Sequence, residues 1–308
     1  MDAAMNWKKI GRVFDPEIAS GRPSWMQSHA MLPIADHLEG DLFRIYFCGR
    51  DQQNRSLVGY LLINLNEPTR ILDISQNPVL GLGDLGCFDD NGVSPSWIVN
   101  DGQEKYLFYI GWKPRSTTRM SVQAGAAVSR DGGITFQRLS RATILPCTDQ
   151  EPIAILTAPC VFKEGDRWRL WYVSGLRWDH PDLVHYNIKY AESRNGIDWK
   201  REGRVCIASG SENESSLARP CVFKDGNLYH MWYSYKKPGG HYRMGYAQSE
   251  DGLHWRRMDD QIGIDVSKSG WDSEMVEYAY VFRHGGQRYM LYNGNNYGAT
   301  GFGLAVAE

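Results

Sequence analysis

The feature that most constrains this chain is one phrase written three times. Ser129-Arg130-Asp131-Gly132-Gly133-Ile134-Thr135-Phe136 returns as Ser193-Arg194-Asn195-Gly196-Ile197-Asp198-Trp199, and again as Ser249-Glu250-Asp251-Gly252-Leu253-His254-Trp255. Asp or Asn beside Gly supplies a tight turn, because both tolerate positive φ. The aromatic residue that follows plugs the turn onto an apolar layer. The copies stand about 60 residues apart, too far for a helical solenoid but suited to a four-stranded unit with extended loops.

A second phrase marks the same unit. Pro159-Cys160-Val161-Phe162-Lys163-Glu164-Gly165 matches Pro220-Cys221-Val222-Phe223-Lys224-Asp225-Gly226, and each runs into an apolar stretch, Trp168–Tyr172 or Leu228–Tyr233. Further copies begin at Ala279-Tyr280-Val281-Phe282, Ser96-Trp97-Ile98-Val99 and Met31-Leu32-Pro33-Ile34. Period-two alternation with β-branched and aromatic enrichment reads as strands. Five units of strand, Gly turn, strand, loop, strand, Asp-Gly turn and strand predict an all-β chain, a five-bladed β-propeller of four-stranded antiparallel blades. The expected blades span about 25–75, 90–145, 150–207, 212–265 and 272–308 within a single domain covering residues 1–308. The last unit stops at Gly303–Glu308 after its third strand, while Trp7–Val13 is strand-like and unpartnered. Residues 7–13 are therefore expected to complete the last blade and close the ring.

Formal net charge is −2 and no basic stripe is present, which argues against nucleic-acid binding through phosphates. The N-terminus has no apolar signal core and no segment reaches membrane-spanning length, so a cytoplasmic protein without membrane contact is expected. The six cysteines show no metal spacing and are expected as free thiols. No metal and no cofactor is expected, since neither a metal-ligand signature nor a phosphate-cradling Gly loop occurs. Eleven Trp and 17 Tyr exceed what a core needs and suggest a cleft that stacks sugars. Trp171, Trp199, Trp232 and Trp255 recur at repeat positions and read as core. Trp25, Trp112 and Trp178 do not recur and are the ligand candidates.

The Ser-x-Asp-Gly-x-x-Trp turn, the Pro-x-Val-Phe-Lys-x-Gly strand opening and the five units together resemble the five-bladed glycosidase superfamily, which includes glycoside hydrolase families 32, 43, 62, 68 and 130. The Asp131 turn also resembles the Asp-box of sialidases, whose rings have six blades. The superfamily resemblance covers residues 25–308. It implies a carbohydrate substrate held at one end of a central channel, with carboxylates on the innermost strands cleaving or transferring a glycosidic bond. The alternatives are a non-catalytic glycan- or protein-binding propeller, and a phosphorylase-type enzyme acting on an anionic sugar. Families 43 and 62 open inner strands with Asp-Pro. Here the residues before the aligned prolines are Ala158 and Arg219, and Pro95 and Tyr278 hold the equivalent places in two further units. The family's catalytic positions therefore do not carry over.

Candidate residues follow from departures from the repeat. Asp89 and Asp272 align, each after an aromatic residue, and read as loop anchors. Asp90 and Glu277 have no repeat counterpart, which nominates Glu277 as general acid and Asp90 as base or nucleophile. Glu151 and Glu214 are reserves, and Glu212 reads as a solvated loop residue. Arg219 stands where Ala158 and Tyr278 stand in other units, so it should face the channel and need an anion. That anion is either Glu277 or an acidic or phosphate-bearing part of the ligand. His29, Arg50 and His241 complete the substrate-binding candidates.

Overall fold

A computed structural model describes residues 5–17, 22–211 and 214–308. Residues 1–4 and Glu212, which carried sequence expectations, lie outside the described residues. The chain opens with β1 (Trp7–Phe14). Four groups of four strands follow. The first is β2 (Ser28–Glu39), β3 (Leu42–Arg50), β4 (Ser56–Asn64) and β5 (Ile71–Ile74). The second is β6 (Val93–Asp101), β7 (Glu104–Pro114), β8 (Met120–Ser129) and β9 (Gln137–Arg138). The third is β10 (Ile155–Glu164), β11 (Arg167–His180), β12 (Leu183–Ser193) and β13 (Lys200–Ile207). The fourth is β14 (Ser216–Asp225), β15 (Leu228–Lys236), β16 (Arg243–Ser249) and β17 (Arg256–Arg257). The last group holds β18 (Glu277–His284), β19 (Gln287–Asn293) and β20 (Phe302–Ala307). Among the described residues, helix is confined to the short turns Asp259–Gln261 and Asn295–Gly298.

Within each group the strands pair antiparallel in sequence order. The first and fourth groups are separate four-stranded sheets. The second and third join into one eight-stranded sheet through a short parallel pairing of Ile155 and Leu156 with Val122 and Gln123. In the last group β1 supplies the fourth strand, pairing Trp7 with Ala307 and Phe14 with Phe302. Trp7 and Phe14 are buried there, Trp7 edge-on to Trp232 and Phe14 against Phe47. Strands β2, β6, β10, β14 and β18 open the five groups. Each lies beside the next, and β18 lies beside β2.

The repeated turns join one group to the one before it. Asp131, Asn195 and Asp251 each accept two successive backbone N–H groups, those of Ile134 and Thr135, Ile197 and Asp198, and Leu253 and His254. Phe136 of the second group packs edge-on to Tyr46 of the first, Trp199 of the third on Phe108 of the second, and Trp255 of the fourth on Trp171 of the third. Hydrogen bonds lock the same joints. Tyr46 Oη donates to the Gly133 carbonyl and Trp171 Nε1 to that of Gly252, both at 2.8 Å. All six cysteines are free thiols.

Candidate functional site

The starts of the five opening strands surround one cavity. Ser94, Thr157, Ala218 and Glu277 hold equivalent places in β6, β10, β14 and β18, opposite Ile110, Val173, Ser234 and Asn293 of the second strands. One residue later the ladder is interrupted. Ala158, Arg219 and Tyr278 take left-handed φ values of 50°, 51° and 58°, and Leu32 of β2 takes 56°. In β6 this place belongs to Pro95, whose ring forbids positive φ. Non-glycine residues in this region cost about 1–3 kcal/mol each and persist only where the surrounding structure holds them. Four such residues at one level, all on the wall of one cavity, mark it as the candidate site.

The cavity has a volume of about 300 Å³. Ile110, Val122, Ile155 and Val173 give it an apolar side, and Trp112, Tyr186, Tyr242 and Tyr278 an aromatic one. Among the described residues its charged members are Arg50, Arg119 and Arg219, and no Asp or Glu lines it.

The carboxylates are engaged elsewhere, in a repeated arrangement. In four groups a second-strand tyrosine donates to a carboxylate that also meets a cation from an outer strand. Tyr109 donates to Asp89, which pairs with Arg138; Tyr172 donates to Glu151, which pairs with Arg201. Tyr233 donates to Asp259, which pairs with Arg257; Tyr292 donates to Asp272, which pairs with Lys9. The first group has Phe47 at this place and no such set. Asp89 and Asp272 are therefore structural anchors, and so is the reserve Glu151. Glu214, the other reserve, takes a bidentate pair from Arg257 at 2.7 and 2.9 Å and a third bond from the Gly210 N–H.

Asp90 is not in the cavity wall. It accepts from Lys113 Nζ and the Gly86 N–H, both at 2.8 Å. Burial pushes its pKa up, but these partners outweigh burial and hold it below the usual carboxylate value. Its departure from the repeat reflects a loop ion pair. Trp25 is also displaced from the expected role: it is buried in the core, its Nε1–H donating to the Ser75 carbonyl, and the missing side chain of Gly59 makes room for its ring. Trp178 packs on the far half of the long β11–β12 hairpin, His241 is exposed in the β15–β16 loop, and neither lines the cavity. Trp112 does line it, with Arg50 and Arg219. His29 stands beside these, left-handed at φ 59°, bonded to Ser28 Oγ at 2.9 Å. Burial and the Arg50 charge lower its pKa to about 4, so it is neutral at neutral pH.

Glu277 is 0% exposed, and neither carboxyl oxygen has a hydrogen-bond partner. Burial raises its pKa well above 4.5, against weaker opposing pulls from the Lys236 ammonium and the Tyr278 hydroxyl. It does not reach the cavity wall itself, although Ser94, Thr157 and Ala218 at the equivalent places do. Arg219 is 1% exposed; its Nη1 has no partner and its Nη2 makes only long contacts of 3.4 Å to the Pro33 and Ser96 carbonyls. The two residues are not ion-paired with each other. Sequence reasoning passed over Tyr186, whose hydroxyl meets that of Tyr242 at 3.3 Å on the cavity wall, and weighed Tyr242 only as part of the His241-Tyr242-Arg243 stretch. Both tyrosines lie at the openings of third strands, where the repeats share no motif that could have singled them out.

No protein-family model matches the chain. In sequence it is 44% identical over 305 residues to the uncharacterized proteins MT1551 of Mycobacterium tuberculosis strain CDC 1551 / Oshkosh and Rv1502 of strain ATCC 25618 / H37Rv, across 99% of this chain and the whole of each relative. In fold it is similar to glycoside hydrolases. A structure of BT0996 in an RGII complex superimposes with a TM-score of 0.74 at 20% identity, covering 97% of this chain and 90% of that one. The catalytic domain of the Coprinopsis cinerea GH62 α-L-arabinofuranosidase superimposes with a TM-score of 0.66 at 11% identity, covering 99% and 96%.

Proposed function

The chain belongs to the family of the Mycobacterium tuberculosis proteins MT1551 and Rv1502, and we propose that it is a carbohydrate-active enzyme that cleaves or transfers a glycosidic bond in this cavity. The glycoside hydrolase fold supports the substrate class, as does an aromatic wall that suits sugar faces. In this reading the five strand groups form one closed five-bladed propeller with β1 as the closing strand, and the cavity is the mouth of its channel. The neighbour relations of the five opening strands and the pairing of β1 with β20 support it.

One observation carries the chemistry: among the described residues Glu277 is the candidate carboxyl with no ion pair or close hydrogen bond, its burial outweighing the weaker pulls of Lys236 and Tyr278. Breaking a glycosidic bond requires a proton on the leaving oxygen, so the donor must stay protonated at working pH, and an apolar site achieves this. Glu277 is this donor. For Glu277 to reach a substrate, Tyr278, its neighbour on the cavity wall, has to turn aside. With Asp90 held by Lys113 and no Asp or Glu among the described residues of the wall, the sugar carbon bonds to a small acceptor as the glycosidic C–O bond breaks: inorganic phosphate, or water or a sugar hydroxyl whose proton passes to solvent. A second reading, glycan binding without turnover, draws on the complete burial of Glu277.

The test is an oligosaccharide and aryl-glycoside screen with and without phosphate, followed by Glu277→Gln on any substrate found. The variant is expected to lose at least about 10²-fold in turnover, the low end of acid–base contributions. Full activity of the variant would remove Glu277 from the mechanism, and sugar binding without turnover would favour the second reading.

A further inference from the structure

Resting on the carbohydrate reading above, we propose that the cavity takes a sugar bearing a carboxylate or phosphate, with that group received by Arg219, Arg50 and Arg119. Three guanidinium groups share a wall in which, among the described residues, there is no Asp or Glu and no carboxylate pairs with any of them. Among the described residues the Arg50 side chain donates one hydrogen bond, to Asn54 Oδ1, a neutral acceptor.

Arg219 is the decisive member. A guanidinium does not shed its proton in a protein, so burial leaves it charged. An unpaired buried ion is strongly disfavoured relative to one in water. The other buried arginines are held by strong neutral or charged acceptors: Arg44 donates to Tyr46 Oη and the Gly132 carbonyl. Arg169, also buried, pairs with Glu164 and donates to Tyr190, Tyr229 and the Asp251 carbonyl. Arg219 has no comparable set, and the ionisable groups bearing on its charge are Cys221, Tyr280, Cys160 and Tyr278, none of them an anion at neutral pH. The fold does not require arginine here, since Leu32, Ala158 and Tyr278 take the same left-handed place in other groups. A buried cation held in a strained conformation on the wall of a ligand-sized cavity is a ready receiver for an anion. Trp112 and the tyrosines would hold the sugar ring.

Calorimetric titration of the full-length protein distinguishes the sources of the anion. The probes are glucuronic, galacturonic and mannuronic acids against their parent hexoses, hexose 1- and 6-phosphates against the same hexoses, and inorganic phosphate alone. At least one acidic probe is expected to bind about tenfold or more tighter than its neutral partner. Preference among uronic acids assigns a carboxylate, preference among sugar phosphates a phosphoryl group, and binding of phosphate alone a free phosphate beside a neutral sugar. Arg219→Met should abolish the preference while retaining weak binding of the neutral sugar. Should that variant fail to fold, Arg50→Gln and Arg119→Gln must each weaken the acidic probe more than the neutral one. Equal losses for both, or no acid preference in the wild-type protein, overturn the proposal. The readout is binding alone. An acid preference with undiminished turnover in Glu277→Gln would sink the mechanism and spare the anion site, and the reverse pattern would do the opposite.

Discussion

Glu277→Gln is expected to stabilise the protein at neutral pH, by an amount that grows as pH rises. In the unfolded chain this carboxyl titrates near its ordinary value of 4.5; in the fold, burial without a hydrogen-bond partner raises its pKa well above that. Between the two values the native state holds one proton more than the unfolded state. Stability then falls as pH rises, by about 1.4 kcal/mol per pH unit for a single proton. Below the unfolded pKa both states are protonated and nothing is lost; above the folded pKa the penalty is complete and the slope vanishes. Glutamine has nearly the same shape and is neutral throughout, so it removes this slope and keeps the packing. Urea unfolding of both proteins at pH 5, 6 and 7, at constant ionic strength, measures the difference. The variant should gain about 1 kcal/mol on the wild type between pH 5 and pH 6, where the unfolded carboxyl is not yet fully ionised, with unchanged m-values. Parallel stability profiles would refute the reasoning, because a carboxyl ionised or hydrated in the native state would contribute no such slope.

Two further outcomes follow from the fold. Deleting residues 1–14 removes β1 with buried Trp7, Val13 and Phe14, each worth about 1.5–3 kcal/mol of burial; the melting temperature should collapse, and an unchanged one would show that the last group stands without its fourth strand. Asp90→Asn breaks a partly exposed ion pair with Lys113 and should cost about 1 kcal/mol or less by urea unfolding. It should also leave sugar affinity within about twofold, and a large loss of affinity would return Asp90 to the site.

Much of the architecture was legible because its signals are local. The Asp-Gly turns specify their own hydrogen bonds, and an unpartnered strand at one end of the chain matched a three-stranded group at the other. Asp89 and Asp272 could be read as anchors because they recur with their aromatic neighbours. The sequence does not show partners distant along the chain. Asp90 looked functional because it breaks the repeat, but its cation is Lys113, which no local pattern connects to it. Trp25 looked free because it does not recur, and it is core because Gly59 and the Ser75 carbonyl receive it. Tyr186 and Tyr242 reach the cavity from different strand groups, so only the packing of the groups brings their hydroxyls together.

The two residues that break the repeat on adjacent opening strands bear on each other through a proton. Arg219 on β14 and Glu277 on β18 could have neutralised one another, and the sequence allowed for it. An ion pair would have lowered the carboxyl's pKa, removed its capacity to donate, and left the cavity with no unbalanced charge deep in its wall. They are instead unpaired, and burial keeps the proton on Glu277. A neutral Glu277 offers Arg219 no counter-charge, so the desolvation that makes one residue an acid leaves the other in need of an anion. The two properties should therefore fail together under one perturbation: a change that hydrates this wall would let Glu277 ionise, lower its capacity as a donor, and reduce the affinity of Arg219 for an anionic ligand through the new negative charge.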